Sequence, residues 1–318
     1  MPRLLLALVL AASQALAQTY PARPVRVMVG FAPGGPNDII ARAYSARLAE
    51  TLGQPFVVEN RTGAAGNLAA EAVARAAPDG YTLMLGSTGT NAVNPSLYAS
   101  LPFDAVRDLA PVSIVATSPS ALAVHPKVAA HSVRELIALA RSQPGKLTYA
   151  SAGSGSSQHL SAELFKRAAG VDIVHVPYKG AAPGITDLLA GQVDMSFAPV
   201  ANVVPYAKSG KLRLLAVTGA SRSAFAPGVP TVAESGLPGF DVITWYAVFA
   251  TAGTPALVVD RLNSELRKIA QSPQLKEQLA GLGIDAAASA SPAEARAYRD
   301  AEVERWGKLV RALGVKAE

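Results

Sequence analysis

The sequence predicts an α/β protein of two lobes, one of them discontinuous, joined by two crossing strands with a cleft between them. Three observations predict it. A unit of apolar strand, Gly/Ser-rich loop and helix recurs along the chain; that plan is interrupted after Pro111; and a second β-forming run, residues 242–249, is followed only by helices. Composition agrees. Of 318 residues, 50% are hydrophobic and 16% are charged, which suits a packed globular chain of about two domains and excludes extended disorder.

The first 17 residues are expected to lie outside both lobes. Arg3 precedes an apolar run, residues 4–10, and Ala15-Leu16-Ala17 is a small-x-small cleavage signal. That is the pattern of a secretory signal peptide cut after Ala17. Its apolar core is too short to span a bilayer and no later run is long enough, so an exported, soluble mature chain that does not span the membrane is expected. The absence of cysteine excludes disulfides, thiolate metal sites, a cysteine nucleophile and lipidation on cysteine. The formal charge is +6, or +5 once Arg3 leaves with the leader, and its basic residues are scattered. That balance is compatible with acidic small molecules and equally with a solvated surface, and nucleic acid is not an expected partner.

The first unit, residues 25–38 (VRVMVGFAPGGPND), sets the pattern. Val25, Val27 and Val29 form a buried strand, and Gly34-Gly35-Pro36 breaks it. Asn37 or Asp38 caps a helix whose Ile40, Tyr44, Leu48 and Leu52 recur every four residues and which Gly53 stops. Unpaired N–H groups and the dipole at such a helix start favour an anion. A second strand at 55–59, a glycine-rich corner at 60–67, a helix at 68–77 and a third strand at 81–85 follow, the last ending in the loop 86–91 (GSTGTN). This alternation predicts a mostly parallel sheet, with ligand loops at the carboxyl ends of its strands.

After Pro111 two short strands, 112–115 and 122–124, are separated by irregular chain. A helix capped by Ser132 carries Leu136 and Leu139 towards Gly145. The strand–loop–helix plan then returns: a strand at 147–150, the loop 151–157 (SAGSGSS), and a helix at 158–169 closed by Gly170. Further strands are expected at 173–176, 195–198 and 212–217, with a helix between the first two that has Pro183 in its first turn and ends at Gly191. A Pro/Gly-rich excursion, 220–240, leads to the second crossing strand and to helices at 256–271, 273–281 and 292–313. The lobes are therefore placed at 18–121 together with 246–318, and at 122–245.

Catalytic motifs fail. Gln158 stands where a dinucleotide fingerprint beginning at Gly153-x-Gly155 needs its third glycine, and neither a phosphate loop nor a G-x-S-x-G elbow occurs. The four histidines, His125, His131, His159 and His175, lack i,i+3 or i,i+4 pairing, so no metal or other cofactor is expected. His159, in the first turn after the Ser/Gly loop, reads as a ligand donor or as a surface histidine.

Across the mature chain the sequence resembles the Bug family of periplasmic solute-binding proteins, the extracytoplasmic receptors associated with tripartite tricarboxylate transporters. The residues that carry the resemblance begin with Tyr20-Pro21, Pro24, Phe31-Ala32-Pro33-Gly34-Gly35 with Asp38, and Glu59-Asn60-Arg61. They continue with Pro78-Asp79-Gly80-Tyr81, residues 149–155 (YASAGSG), residues 175–180 (HVPYKG), residues 187–191 (DLLAG) and Pro230-Thr231. The resemblance implies a type II periplasmic binding protein fold and a small ligand, usually a carboxylate, held in the interlobe cleft by the first-lobe loop and the Ser/Gly loop, partly through water. Periplasmic location, a monomer, and membrane transporter subunits or a sensor as partners are implied with it.

On that reading Phe31, Ala32, Gly34 and Gly35 form one wall, with Asp38 as a loop organiser. Ser87, Thr88 and Asn91 supply bonds from the third strand's loop, and Ser154, Gly155, Ser156, Ser157 and His159 those of the second lobe, with Lys179, Gly180 and Ala198 completing the site. Lys179 either pairs with a second carboxylate or lies on the surface, and Trp245 is read as core before it is read as a cover for the ligand. Two other functions stay open: an exported enzyme acting on an acidic small molecule in the same cleft, and an interaction protein using the fold to bind a partner.

Overall fold

A computed structural model describes residues 20–178 and 180–314. The expected leader and its cleavage point after Ala17, and Lys179, lie outside the described residues. The chain forms β1 (Val25–Val29), α1 (Pro36–Leu52), β2 (Phe56–Asn60), α2 (Asn67–Ala74), β3 (Thr82–Ser87), α3 (Asn94–Leu97) and β4 (Leu109–Val124). It continues through α4 (Val133–Ser142), β5 (Thr148–Ser151), α5 (Ser157–Ala169), β6 (Val174–Pro177), α6 (Ala181–Leu189), β7 (Met195–Pro199), α7 (Val200–Lys208) and β8 (Arg213–Val217). After the irregular segment come β9 (Ile243–Thr251), α8 (Ala256–Gln271), α9 (Pro273–Ala280), β10 (Asp285–Ala286) and α10 (Pro292–Leu313).

One sheet runs in the order β2-β1-β3-β9-β4-β7-β5-β6, with β8 and β10 also paired to β4. Two parallel sets, β2-β1-β3 and β7-β5-β6, sit at its ends. Between them β4 and β9 pair antiparallel to each other and to their neighbours. The expectation of a mostly parallel sheet thus holds within each end and fails at the centre, because β9 runs against the strands of the first lobe and β4 against those of the second.

The two short strands expected around an irregular stretch are in fact one strand of 16 residues. At roughly 3.3 Å per residue it is long enough to serve both ends of the sheet. It pairs with β9 from Leu109 to Pro119 and with β7 from Ser120 to Val124. Register shifts at Pro111/Ser113 and Ile114/Ala116 accommodate Pro111 within it. Burial on both faces removes the alternation that would have revealed it.

One apolar cluster packs α2, α4, α5 and α10 against both ends of the sheet and includes Trp245, Trp306, Phe165 and Phe197. A second lies under α1, α8 and α9, and a third under α6 and α7. Trp245 is core, fully buried, with its Nε1 donating to Glu302 Oε2 at 3.0 Å. Three elements had no sequence expectation: the short α3, α7, whose interior Pro205 argues against a helix, and the two-residue β10.

Candidate functional site

The β1–α1 loop turns because Gly34 takes φ 83°, and α1 then starts at Pro36 with Gly35 as its N-cap. The expected cap, Asn37 or Asp38, is corrected: both stand inside the first turn, and Gly35 makes no side-chain cap bond. Asp38 instead organises the loop. Its Oδ2 accepts from Gly34 N at 3.0 Å and Arg42 Nε at 2.9 Å, and its Oδ1 accepts from Asn60 Nδ2 at 2.9 Å. The hydrogen bond from Arg42, with those from Gly34 and Asn60, holds the Asp38 pKa down to about 2 against the opposing effect of burial.

The Ser/Gly loop of the second lobe ends on Ser156, whose Oγ accepts from His159 N and caps α5. Gly180, at φ 116°, is the N-cap of α6. These three helix starts face one cavity of about 600 Å³. Phe31, Ala32, Gly35 and Asn37 line it from the first lobe, Ser154, Gly155, Ser156 and Ser157 from the second, and Gly180 and Ala181 from α6. Ser87 and Gly89 contribute from the end of β3, and Leu97 and Tyr98 from α3 and the residue after it. No Asp, Glu, Lys, Arg or His among the described residues lines it. The first-turn N–H groups and the hydroxyls therefore set its electrostatics, and both favour an anion.

Several residues expected at the site stand elsewhere. Gly34, which is exposed, and Asp38, which is buried, are not among the lining residues. Thr88 ties β3 to β9, its Oγ1 accepting from Trp245 N at 2.8 Å. Asn91 is buried within a π-helical turn, Gly89–Val93, where a loop was expected, and its Oδ1 accepts from Ser87 N. Ala198 is buried in β7 opposite Ala121. His159 is buried as well, neither a surface residue nor a lining one, and its Nδ1 accepts from Gly155 N at 3.0 Å.

Thr244 and Tyr246 line the cavity without having been expected there. The signal was available: strand neighbours point to opposite faces, so a core Trp245 sends Thr244 and Tyr246 to the other side. Burial raises the Tyr246 pKa, so its hydroxyl stays protonated and can donate.

Behind the Ser/Gly loop two histidines stack, the His159 and His175 rings lying 4.2 Å apart with Tyr149 against His175 at 4.8 Å. His175 Nε2 is 2.6 Å from Ser151 Oγ, which accepts from Gly153 N. Both ends of the loop therefore hang on this pair. Burial first lowers both pKa values; for His175 the neighbouring His159 adds to it, giving about 4, while Glu163 opposes and Lys166 assists. The unfolded chain binds these protons below pH 6.5 and the folded chain does not until lower pH, so stability should fall as pH drops from 6.5 towards about 4. Urea midpoints measured from pH 8 to 4 test this. A midpoint that is flat across the window, or equally steep in His175→Gln, would contradict it.

A family model described as tripartite tricarboxylate transporter family receptor matches residues 40–315. The chain belongs to that receptor family. It is 40% identical over 301 residues to protein BugT of Bordetella pertussis, covering 94% of this chain and 92% of BugT. The solved structure of R. palustris Rpa4515 with adipate superposes with a TM-score of 0.83 at 38% identity, over 94% of this chain and 99% of that one. MatC from Rhodopseudomonas palustris with bound malate gives 0.77 at 35% identity, over 92% and 100%. The resemblance to Bug receptors read from the sequence, and the two-lobed fold that it implied, both stand.

Proposed function

We propose that the protein is a periplasmic receptor that captures a small organic carboxylate between its lobes, for uptake by a tripartite tricarboxylate-type transporter or for sensing. The observation that carries this reading is the single cavity at which the N-termini of α1, α5 and α6 meet without a charged side chain among the described residues. A carboxylate there gains about 0.3–1 kcal/mol from each dipole, and about 1.5–3 kcal/mol from each charge-assisted hydrogen bond. Micromolar affinity needs about −8.2 kcal/mol, which a few such bonds supply after the entropy of association. The adipate and malate held by two structural relatives support the same ligand chemistry.

Binding rather than turnover is the reading, because the histidine-linked hydroxyl near the cavity is badly placed for attack. Ser151 Oγ lies 2.6 Å from His175 Nε2, yet Ser151 is only 1% exposed and is not part of the lining. Export through the leader, delivery to membrane subunits and a monomeric state belong to the same proposal; no helix among the described residues is long and apolar enough to cross a membrane.

Thermal unfolding across mono-, di- and tricarboxylates tests it. A ligand at about 100 times its dissociation constant should add about 2.7 kcal/mol of stability and be recovered unchanged by mass spectrometry. No shift with any carboxylate would remove the receptor reading, and a converted ligand would favour the enzyme.

A further inference from the structure

The Ser/Gly loop reaches the cavity through Ser154, Gly155, Ser156 and Ser157, and two imidazoles hold its backbone from behind. His159 is 6% exposed, and its Nδ1 can accept from Gly155 N only while that nitrogen carries no proton. His175 Nε2 meets Ser151 Oγ, the group to which Gly153 N donates. The two rings stack 4.2 Å apart at an interplanar angle of 11°, so a second imidazolium charge is opposed by the first. A single proton on Nδ1 already turns the acceptor into a donor that faces the Gly155 N–H.

Little around the pair relieves a positive charge. The charged groups that act on it are Glu163 and Lys166 of α5. The Glu163 carboxylate is already engaged: its Oε1 accepts from the hydroxyl of Tyr149 on β5 at 2.7 Å and from Lys166 Nζ at 2.8 Å. Lys166 itself adds a like charge. Burial, ahead of both, keeps the His159 pKa below the ordinary imidazole value. A proton that does arrive is accommodated by breaking the bond to Gly155, which unties the loop from its helix. We propose that the His159–His175 pair is an acid switch, in which protonation of His159 frees the Ser/Gly loop and lowers the affinity of the cleft for its ligand. The affinity half rests on the receptor reading above; the release of the loop does not.

Two measurements test it. In isotope-labelled, ligand-free protein followed by NMR, the Gly155 amide should titrate together with the His159 ring as pH falls from about 7.5 to 4.5, and its hydrogen exchange, corrected for pH, should accelerate over the same interval. A Gly155 amide that ignores the His159 titration overturns the proposal, whatever the ligand. In calorimetry with adipate and with malate, Kd should rise as pH falls below about 6.5, approaching tenfold per pH unit for one linked proton. His159→Asn sets an oxygen near the place of Nδ1 and cannot titrate; it should bind somewhat more weakly at neutral pH, and its profile should show only the ligand's own protonation. His159→Phe keeps a ring in the stack without the acceptor, and should bind roughly ten- to a hundredfold more weakly at neutral pH. A wild-type profile that matches that of His159→Asn overturns the switch. So does affinity that rises in acid, the sign that a bound carboxylate favours the imidazolium more than the loop opposes it. If neither compound binds and the thermal screen finds no other carboxylate, the receptor reading and the affinity half fall together, while the Gly155 amide still decides the release of the loop.

Discussion

Glu302→Ala is expected to lower stability by about 3–5 kcal/mol. Glu302 lies on α10 and is 7% exposed. Its Oε2 accepts from Trp245 Nε1 on the crossing strand and from Trp306 Nε1 on its own helix, each at 3.0 Å. Truncation leaves two buried indole N–H groups without acceptors, at about 1–3 kcal/mol each, and opens a void beside them. The Arg305 pair adds little, because that guanidinium is 41% exposed and screened. A chain of this length should then melt roughly 6–15 °C lower. Glu302→Gln keeps an oxygen for both indoles and should lose only about 1–2 kcal/mol. Equal urea midpoints for the two variants would show that the carboxylate is not what holds the tryptophans.

Gly155→Ala should weaken ligand binding by roughly ten- to a hundredfold, from a clash between the lobes of about 1.5–3 kcal/mol. Gly155 has φ +79°, and a Cβ there would stand 2.2 Å from Leu97 Cδ2. The two consequences separate. The left-handed backbone costs alanine roughly 1–2 kcal/mol whether the cleft is open or closed, so it reads out in the urea midpoint. The Leu97 contact joins α3 to the Ser/Gly loop, so in the proposed receptor it opposes closure and reads out in affinity. Adding Leu97→Ala to Gly155→Ala should restore part of the lost affinity while leaving the backbone cost in place, a coupling that a double-mutant cycle measures. Additive losses in affinity would place the effect in the loop backbone instead.

Much of this molecule could be read locally. Gly53 and Gly170 stop α1 and α5 in the left-handed conformation, as expected from glycine at helix ends. Ser132 caps α4 through its hydroxyl, and α8 and α10 have the bounds that their periodicity gave. Each of these depends on residues within a few positions of one another, so propensity, capping and spacing suffice. The Gly-rich corners marked both loops that now face the cavity, because a turn and an exposed helix start are also local properties.

What the sequence by itself determined, then, was the repeating strand–loop–helix plan, the crossing chain, the absence of thiol chemistry, and a family likeness strong enough to imply a two-lobed receptor. The tertiary structure alone decided which polar groups remain available to a ligand. Thr88, Asn91 and His159 carry the chemistry expected of a binding site, but each bonds to a backbone group that holds the site's frame: Trp245, Ser87 and Gly155. Conversely Thr244, Tyr246 and Asn37 reach the cavity through strand facing and helix phase. The physical reason is that a hydrogen-bonding side chain has few partners, and whether a partner from a distant segment has already taken them is set by packing across the sheet rather than by neighbours in sequence.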